Sequence, residues 1–262
     1  MLKTLSLTKY AHACVKVEKD GNTLIIDPGM MTAPPGLLNT ADVILITHEH
    51  CDHFDQERVL RAARQNATLK IYTCAEVAAH LNGFTSQVRI VKDGDNFCTA
   101  GFDVSVIGKD HHVGRTDMPL AENVGFLVDQ EIFHPGDALT VYPVPTLLLP
   151  SQAGWMTDKE VIGYLQRVHP DRVFPIHDGR TNDWGSEELE NMLSEEAERI
   201  GTRFMWLEPG DKVNLPECCP SMDTPGLLPT IEGIIDWKTR KDRTLRHRPT
   251  KKPRDRHDDV NP

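Results

Sequence analysis

The chain has 262 residues, of which 39% are apolar and 26% are charged, and its formal net charge is −10. At roughly 100–200 residues per domain, this length allows one large domain or two small ones. No stretch reaches the ~18 consecutive apolar residues that a membrane-spanning helix needs. The N-terminal segment lacks an uninterrupted apolar run and a small-residue cleavage site, so we expect no export and a cytoplasmic protein. The six cysteines form no C-x-x-C pair and are expected to be reduced thiols.

The charge is distributed unevenly along the chain. Residues 238–262 contain ten lysines and arginines and four aspartates, a net +6 that leaves −16 for the remainder. An acidic body does not suit general binding to a phosphate backbone, which depends on lysine and arginine. From about Pro216 the chain is proline-rich and then highly charged, a composition that cannot bury enough apolar surface to fold. We therefore predict one domain over 1–215 and an extended or disordered tail over 216–262.

Short strand-like runs alternate with helical patterns along the body. The first three runs are separated by tight-turn signals and predict an antiparallel meander. Later strands alternate with helices, which predicts an α/β (α+β) fold with mixed sheets. Asp55 is expected to cap the first helix. Strands are predicted at 5–10, 13–19, 22–27, 42–47, 69–72, 88–91, 102–107, 123–128, 145–149 and 172–176, and helices at 55–65, 75–82, 157–168 and 186–199.

An H-x-H-x-D-H pattern directly follows the apolar, β-branched run at 42–47. His48 and His50 are two residues apart on a chain leaving a strand, so both can face one metal ion. Asp52 and His53 come after a turn and can face a second ion beside it. Imidazole and carboxylate ligands suit zinc, manganese or iron better than calcium or magnesium.

A two-metal site needs further ligands, and the sequence offers them after other apolar runs. The pair His111 and His112 follows the run FDVSVIG, Asp137 lies in FHPGDAL, and His177 lies in FPIHDG. Because each follows a β-type run, all of them can meet at one end of a sheet. His134 and His112 are expected to orient ligands at most.

These motifs, together with KYAHACVKVE and LIIDPG, resemble the metallo-β-lactamase superfamily over about residues 1–215. Within it, the chain looks most like the small cytoplasmic hydrolases around the ascorbate-6-phosphate lactonase. The resemblance implies a four-layer αβ/βα sandwich with a dinuclear site. Spacing to the NVGF segment favours His111 over His112 as the third imidazole. The implied ligands are His48, His50 and His111 for one metal, Asp52, His53 and His177 for the other, and Asp137 between them.

Two divalent cations, zinc first with manganese or iron as alternatives, imply hydrolysis by a metal-bridging hydroxide. We expect a small polar ester, lactone or phosphoester as substrate, with Asp52 and Asp137 in catalytic positions. The proton donor to the leaving group stays open among Asp52, Asp137 and His134. A ribonuclease-like phosphodiesterase and a di-iron redox protein are the alternative functions.

The remaining expectations concern partners and neighbouring side chains. We expect no membrane partner and no nucleic acid except through the basic tail, and a homo-oligomer stays open. His12 is either a neighbour of the cleft or a structural histidine, and Trp155 either lines the cleft or packs in its loop. Asp27 is expected to anchor a turn or to support a ligand.

Overall fold

A computed structural model describes residues 5–31, 34, 36–113 and 120–215. The tail predicted at 216–262 lies outside the described residues. Within the described ranges, no helix is long and apolar enough to cross a membrane. The four cysteines in these ranges, Cys14, Cys51, Cys74 and Cys98, are free thiols, as predicted for them.

Fourteen strands and four α-helices are found in the described part of the chain, with a 3₁₀ turn at Leu37–Thr40. The helices are α1 (Gln56–Gln65), α2 (Ala75–His80), α3 (Asp158–Val168) and α4 (Asp183–Ile200). The strands are β1 (Leu5–Lys9), β2 (Val15–Lys19), β3 (Asn22–Ile26), β4 (Val43–Ile46), β5 (Lys70–Thr73), β6 (Val88–Ile90), β7 (Asn96–Thr99), β8 (Phe102–Ile107), β9 (Gly125–Val128), β10 (Ile132–His134), β11 (Thr146–Pro150), β12 (Arg172–Ile176), β13 (Arg203–Phe204) and β14 (Lys212–Leu215).

The strands form two seven-stranded mixed sheets with orders β14-β1-β2-β3-β4-β5-β6 and β13-β12-β11-β10-β9-β8-β7. In the first sheet, β14 and β1–β3 pair antiparallel, and β3–β6 pair parallel. In the second sheet, β7–β10 pair antiparallel, and β10–β13 pair parallel. The predicted meander and the mixed sheets are therefore confirmed.

The packing places helices outside a pair of facing sheets. Apolar residues from both sheets share one buried core, which also takes Val59 from α1 and Val77 from α2. A second buried cluster joins the other face of the second sheet to Tyr164 and Leu165 of α3 and Leu193 of α4. Strands such as β4 and β11 are buried along their whole length, as strands with both faces covered must be. This is the expected α/β sandwich.

Four strands were not predicted: β7, β10, β13 and β14. The hairpin between β9 and β10 shows why one of them was missed. Asp129 and Gln130 both adopt left-handed backbone there, with φ of 52° and 53°, yet the turn lacks the Asn-Gly or Asp-Gly pair that marks such a hairpin in a sequence. Asp55, in contrast, caps α1 as predicted by accepting a hydrogen bond from the N–H of Arg58.

Polar residues leave the sheets where several strands end. Asp27 follows β3, His48 lies two residues beyond β4, and Asp137 lies three residues beyond β10. His177 directly follows β12. Because β3 and β4 run parallel, as do β10–β12, their carboxyl ends lie at common sheet edges. The carboxyl ends of parallel strands are where α/β sheets place their binding crevices.

The loop after β3 supports the H-x-H-x-D-H segment at very close range. A Cβ built on Gly29 would lie 1.9 Å from the carbonyl oxygen of Asp52 and 2.6 Å from the nitrogen of His53. The N–H of Met30 also donates to the carbonyl of Cys51 at 2.8 Å. Only glycine allows this contact between the two loops, since any side chain would push Asp52 and His53 away.

We predict that Gly29→Ala destabilises the protein by at least about 1–3 kcal/mol, the usual cost of overpacking. Chemical denaturation measures the change, and metal content should fall with it because Asp52 and His53 move. Gly154→Ala is the matched control, since a Cβ at Gly154 meets nothing within 4 Å and its φ is not left-handed. Equal stability of the two variants would contradict the close-approach argument.

Candidate metal centre

The structure brings all seven predicted ligand residues together and adds one histidine. They form two groups. Within each group, every residue offers one potential ligand atom, a histidine nitrogen or a carboxylate oxygen, and these atoms lie within 4.8 Å of one another. The first cluster is His48, His50, His111 and Asp137, and the second cluster is His12, Asp52, His53 and His177. These residues come from five separate loops of the chain, and the fold brings them to one place.

Asp137 lies between the two clusters. Its Oδ1 is 3.1 Å from Nε2 of His53, and its Oδ2 is 3.1 Å from Nε2 of His177, both in the second cluster. The same Oδ2 is 3.4 Å from Nε2 of His111 and 3.8 Å from Nε2 of His48, both in the first cluster. The Asp137 carboxylate, which is 2% exposed, therefore contacts histidines of both clusters.

Four histidines of the two clusters share one hydrogen-bonding pattern. Each places Nδ1 against an oxygen atom and directs Nε2 toward Asp137. The Nδ1 partners are Thr47 Oγ1 for His48 at 2.9 Å, Asp27 Oδ2 for His53 at 2.7 Å, the His112 carbonyl for His111, and the Gln152 carbonyl for His177 at 2.5 Å. Because a carbonyl can only accept, Nδ1 carries the proton in the last two, and Nε2 is left with its lone pair.

Several buried atoms at the centre have no hydrogen-bond partner among the described residues. They are Nε2 of His53, His111 and His177, and Oδ1 of Asp137. A buried polar atom without a partner is costly, and such atoms commonly mark an ion or another bound group. Imidazole nitrogens with free lone pairs around a carboxylate are the donor set that divalent zinc, manganese or iron takes. The residues present therefore fit a metal centre.

His50 approaches the centre through its other nitrogen. Its Nδ1 lies 3.1 Å from Nε2 of His48, so the two lone pairs can share one ion. Burial lowers the pKa of His48 well below its ordinary value and also lowers the pKa of His50, which His111 lowers further. Both rings are therefore held in the neutral form that binds metal.

The charges of Asp137 and His53 are coupled. Burial by itself raises the pKa of Asp137, but the charge of His53 and the contacts with His111 and His177 outweigh it, so the pKa is well below the usual range. For His53, burial lowers the pKa, but Asp137 and Asp27 outweigh it and hold the pKa well above the ordinary value. The negative charge that favours a proton on His53 equally favours a metal cation beside it.

Asp27 orients residues of both clusters through hydrogen bonds. It accepts hydrogen bonds from the Thr47 N–H at 2.8 Å, the Thr47 hydroxyl at 2.7 Å and Nδ1 of His53 at 2.7 Å. Since the Thr47 hydroxyl donates to Asp27, its oxygen is free to accept from Nδ1 of His48. One fully buried carboxylate thus orients a histidine of each cluster.

His12 belongs to the second cluster but differs from the other histidines. Its Nε2 lies 3.1 Å from Oδ2 of Asp52, and its Nδ1 accepts a hydrogen bond from the N–H of Gly179 at 3.2 Å. The ring is 3.9 Å from that of His177, measured between centroids. Burial is the largest effect on its pKa and lowers it, so the ring is neutral. His12 therefore neighbours the candidate centre, and both of its ring nitrogens have hydrogen-bond partners.

Neighbouring residues surround the clusters without joining them. The N–H of His112 donates to the carbonyl of Asp137 at 2.8 Å, and its ring lies near Glu160. His134 is fully buried, with Nε2 2.8 Å from the Ala13 carbonyl and Nδ1 accepting from the N–H of Gly136. Trp155 does line the clusters, with ring centroids 5.1 Å from His111 and 6.0 Å from His177.

A buried ion pair beside His177 was missed by the sequence analysis. Lys9 is 1% exposed, and its Nζ pairs with Asp178 and donates to the Leu207 carbonyl at 3.0 Å. A lysine within a short strand normally indicates a solvent-facing position, so the sequence contained no signal for it. The pair anchors the segment that carries His177.

Comparison with known proteins identifies the family. A profile described as a beta-lactamase superfamily domain matches residues 6–177. The chain belongs to the metallo-β-lactamase superfamily. It is 33% identical over 180 residues to protein Rv0786c of Mycobacterium tuberculosis, an alignment that covers 66% of this chain and 84% of that protein.

Two further relatives agree with this membership. A UPF0173 metal-dependent hydrolase of Carboxydothermus hydrogenoformans is 25% identical over 233 residues, which cover 80% of this chain and all of the relative. The structure of Igni18, a metallo hydrolase from Ignicoccus hospitalis, superposes with a TM-score of 0.63 at 21% identity, over 81% of this chain and 98% of that one. This metallo-β-lactamase superfamily member is a metal-dependent hydrolase with two candidate His/Asp metal clusters.

We predict that Asp27→Asn weakens metal binding about 10- to 100-fold, the usual effect of losing a carboxylate that orients a ligand histidine. Asparagine tolerates the left-handed backbone at this position, where φ is 50°, so the loop conformation should survive. Metal titration with a competing chelator measures the affinity. Asp20→Asn, at a left-handed position between β2 and β3, is the matched control, and equal affinities in both variants would refute the role of Asp27.

Proposed function

We propose that this chain is a cytoplasmic dinuclear hydrolase that acts on a small polar ester, lactone or phosphoester. The observation that supports two metals best is the position of Asp137, whose two oxygens lie 3.1–3.8 Å from histidines of both clusters. A carboxylate shared by two ligand sets suits two adjacent divalent cations. Zinc is the first expectation, with manganese or iron as alternatives.

The proposed ligands are those that the family resemblance implies, and each set falls within one of the two clusters, with Asp137 between them. His48, His50 and His111 would hold one cation, Asp52, His53 and His177 the other, and Asp137 both. Two cations held by these residues would lower the pKa of a water molecule, supply hydroxide near neutral pH and stabilise the negative charge that develops in hydrolysis.

The two carboxylates at the centre have different surroundings and so different tasks. The side chain of Asp52 is 20% exposed, whereas that of Asp137 is 2% exposed. Burial raises the pKa of Asp52, but the hydrogen bond from His12 and the charge of His53 outweigh it and hold the pKa below its usual value. Asp52 is therefore ionised at neutral pH. It stands at the more open side of the centre, while Asp137 joins the two clusters.

We expect purified protein to contain close to two metal equivalents per chain and His50→Ala to lose at least one of them together with activity. Elemental analysis measures the metal. Activity is measured on metal-replete protein with a panel of lactones, phosphodiesters and phosphorylated sugars. His80→Ala, at an exposed histidine at the end of α2, is the control. Full metal occupancy and undiminished turnover in His50→Ala would contradict the ligand assignment.

A tail deletion, assayed for turnover of the same panel and for RNA binding, separates the proposed function from a nucleic-acid phosphodiesterase. Deleting residues 238–262 removes ten of the 29 lysines and arginines. Unchanged turnover of small substrates with unchanged RNA binding supports the small-molecule proposal. Loss of RNA binding on deletion, combined with RNA cleavage by the full chain, would favour the alternative.

Trp155 supports an apolar or planar part in the substrate. Its ring stands 5.1 Å from His111 and 5.5 Å from His112, so it forms one wall beside the first cluster. None of the described lysines or arginines forms an ion pair with the carboxylates of either cluster.

For a substrate found in the panel, we predict that Trp155→Ala raises KM about 3- to 10-fold, since an aromatic contact contributes about 0.5–1.5 kcal/mol. Trp155→Phe should keep most of the affinity, because it retains an aromatic face. Steady-state kinetics measures both. Trp184→Ala removes a tryptophan that is 74% exposed and serves as the control. An unchanged KM in Trp155→Ala would show that the substrate does not contact this wall.

A further inference from the structure

His12 presents a hydrogen-bond donor to the second cluster, whereas His111 and His177 present the lone pair of Nε2. A backbone N–H can only donate, so Nδ1 of His12, which receives the N–H of Gly179, carries no proton. In a neutral imidazole the proton then sits on Nε2. That Nε2 lies 3.1 Å from Oδ2 of Asp52. The contact is therefore a hydrogen bond from His12 to the Asp52 carboxylate.

The ring of His12 is held in place by its backbone and by packing. His12 is 1% exposed and adopts left-handed backbone with φ of 63°, an uncommon conformation for a residue other than glycine. Its carbonyl accepts the N–H of His177 at 3.2 Å, and the two rings are 3.9 Å apart between centroids. His177 is itself left-handed, with φ of 60°. The two residues therefore fix each other.

The donor that sets the state of His12 is fixed as well. Asp178, directly before Gly179, forms the buried ion pair with Lys9. A Cβ at Gly179 would lie 3.2 Å from Nδ1 of His12 and 2.8 Å from Cε of Met31, so the glycine is packed against the imidazole. The N–H of Gly179 thus has little freedom to turn away from Nδ1.

We propose that His12 is a positioning residue that orients Asp52, and that it is not itself a metal ligand. This inference rests on the proposed function, in which Asp52 holds a cation. Asp52 is the more exposed of the two carboxylates and lacks the enclosing contacts of Asp137. A donor fixed on Oδ2 restricts the rotation of Asp52 and leaves its remaining lone pairs for the cation. The second cluster then takes its ligands from Asp52, His53, His177 and Asp137.

Two amide variants separate the two hydrogen bonds of His12. In His12→Asn the side-chain oxygen reaches the position of Nδ1 and can accept the Gly179 N–H, but nothing reaches Asp52. In His12→Gln the amide nitrogen reaches the position of Nε2 and can still donate to Asp52. A positioning role predicts weak metal binding at one site in His12→Asn and recovery in His12→Gln.

Calorimetric titration of the metal-free full chain with zinc measures both sites. We expect two binding events in the unaltered protein. In His12→Asn one event should weaken about 10- to 100-fold while the other is unchanged. His169→Asn is the matched control, because His169 is also left-handed, with φ of 46°, and lies at the end of α3. Unaltered affinity in His12→Asn, or equal weakening in His12→Gln, would overturn the proposal.

Nitrogen-15 NMR of histidine in the zinc-loaded, unaltered protein tests the inference without any variant. A proton on Nε2 of His12 supports positioning, and zinc on Nε2 with a proton on Nδ1 overturns it. The calorimetric zinc titration described above separates this inference from the proposed function. Fewer than two zinc events in the unaltered protein would count against the dinuclear centre, whereas two events with an insensitive His12→Asn would count against the role of His12 alone.

Discussion

The structure depends on keeping one buried carboxylate, Asp137, among the histidines of two clusters. An ionised carboxylate is costly to bury unless charges or hydrogen bonds surround it. Its backbone N–H donates to Oδ1 of Asn123 at 2.9 Å, and the side chain of Asn123 in turn donates to the Pro135 carbonyl. These hydrogen bonds fix the loop after β10. The surrounding histidines can then converge on the carboxylate from both sheets, which explains why the site lies at the sheet edges.

Backbone strain at the site supports the same interpretation. Asp27, His12 and His177 all adopt left-handed backbone, with φ of 50°, 63° and 60°. Such conformations cost about 1–3 kcal/mol each and persist where the surrounding structure over-determines them. Each of the three accepts or donates several buried hydrogen bonds that do so. The left-handed backbone directs the Asp27 carboxylate toward His53 and directs the rings of His12 and His177 toward the second cluster. Part of the folding free energy therefore goes into positioning these side chains.

Much of the centre was predictable because its residues stand close together in the sequence or directly after apolar runs. His48, His50, Asp52 and His53 lie within six positions, and His111, Asp137 and His177 each follow a strand. The strands that were missed lacked such signals. The turn at Asp129 and Gln130 has no glycine, and β13 has only two residues, too few to show alternation. The buried Lys9 was missed because its partner, Asp178, is 169 positions away.

The sequence alone determined the residue types of the centre and the mixed α/β architecture, because ligand spacing and apolar periodicity are local properties of the chain. The reaction class was implied by the family resemblance that those motifs carry. Only the tertiary structure decided which nitrogen of each histidine faces the centre. It also placed His111 rather than His112 there and turned His12 toward Asp52. Those outcomes depend on hydrogen-bond partners such as Gly179 and Gln152, which folding brings from distant parts of the chain, and no local pattern encodes them.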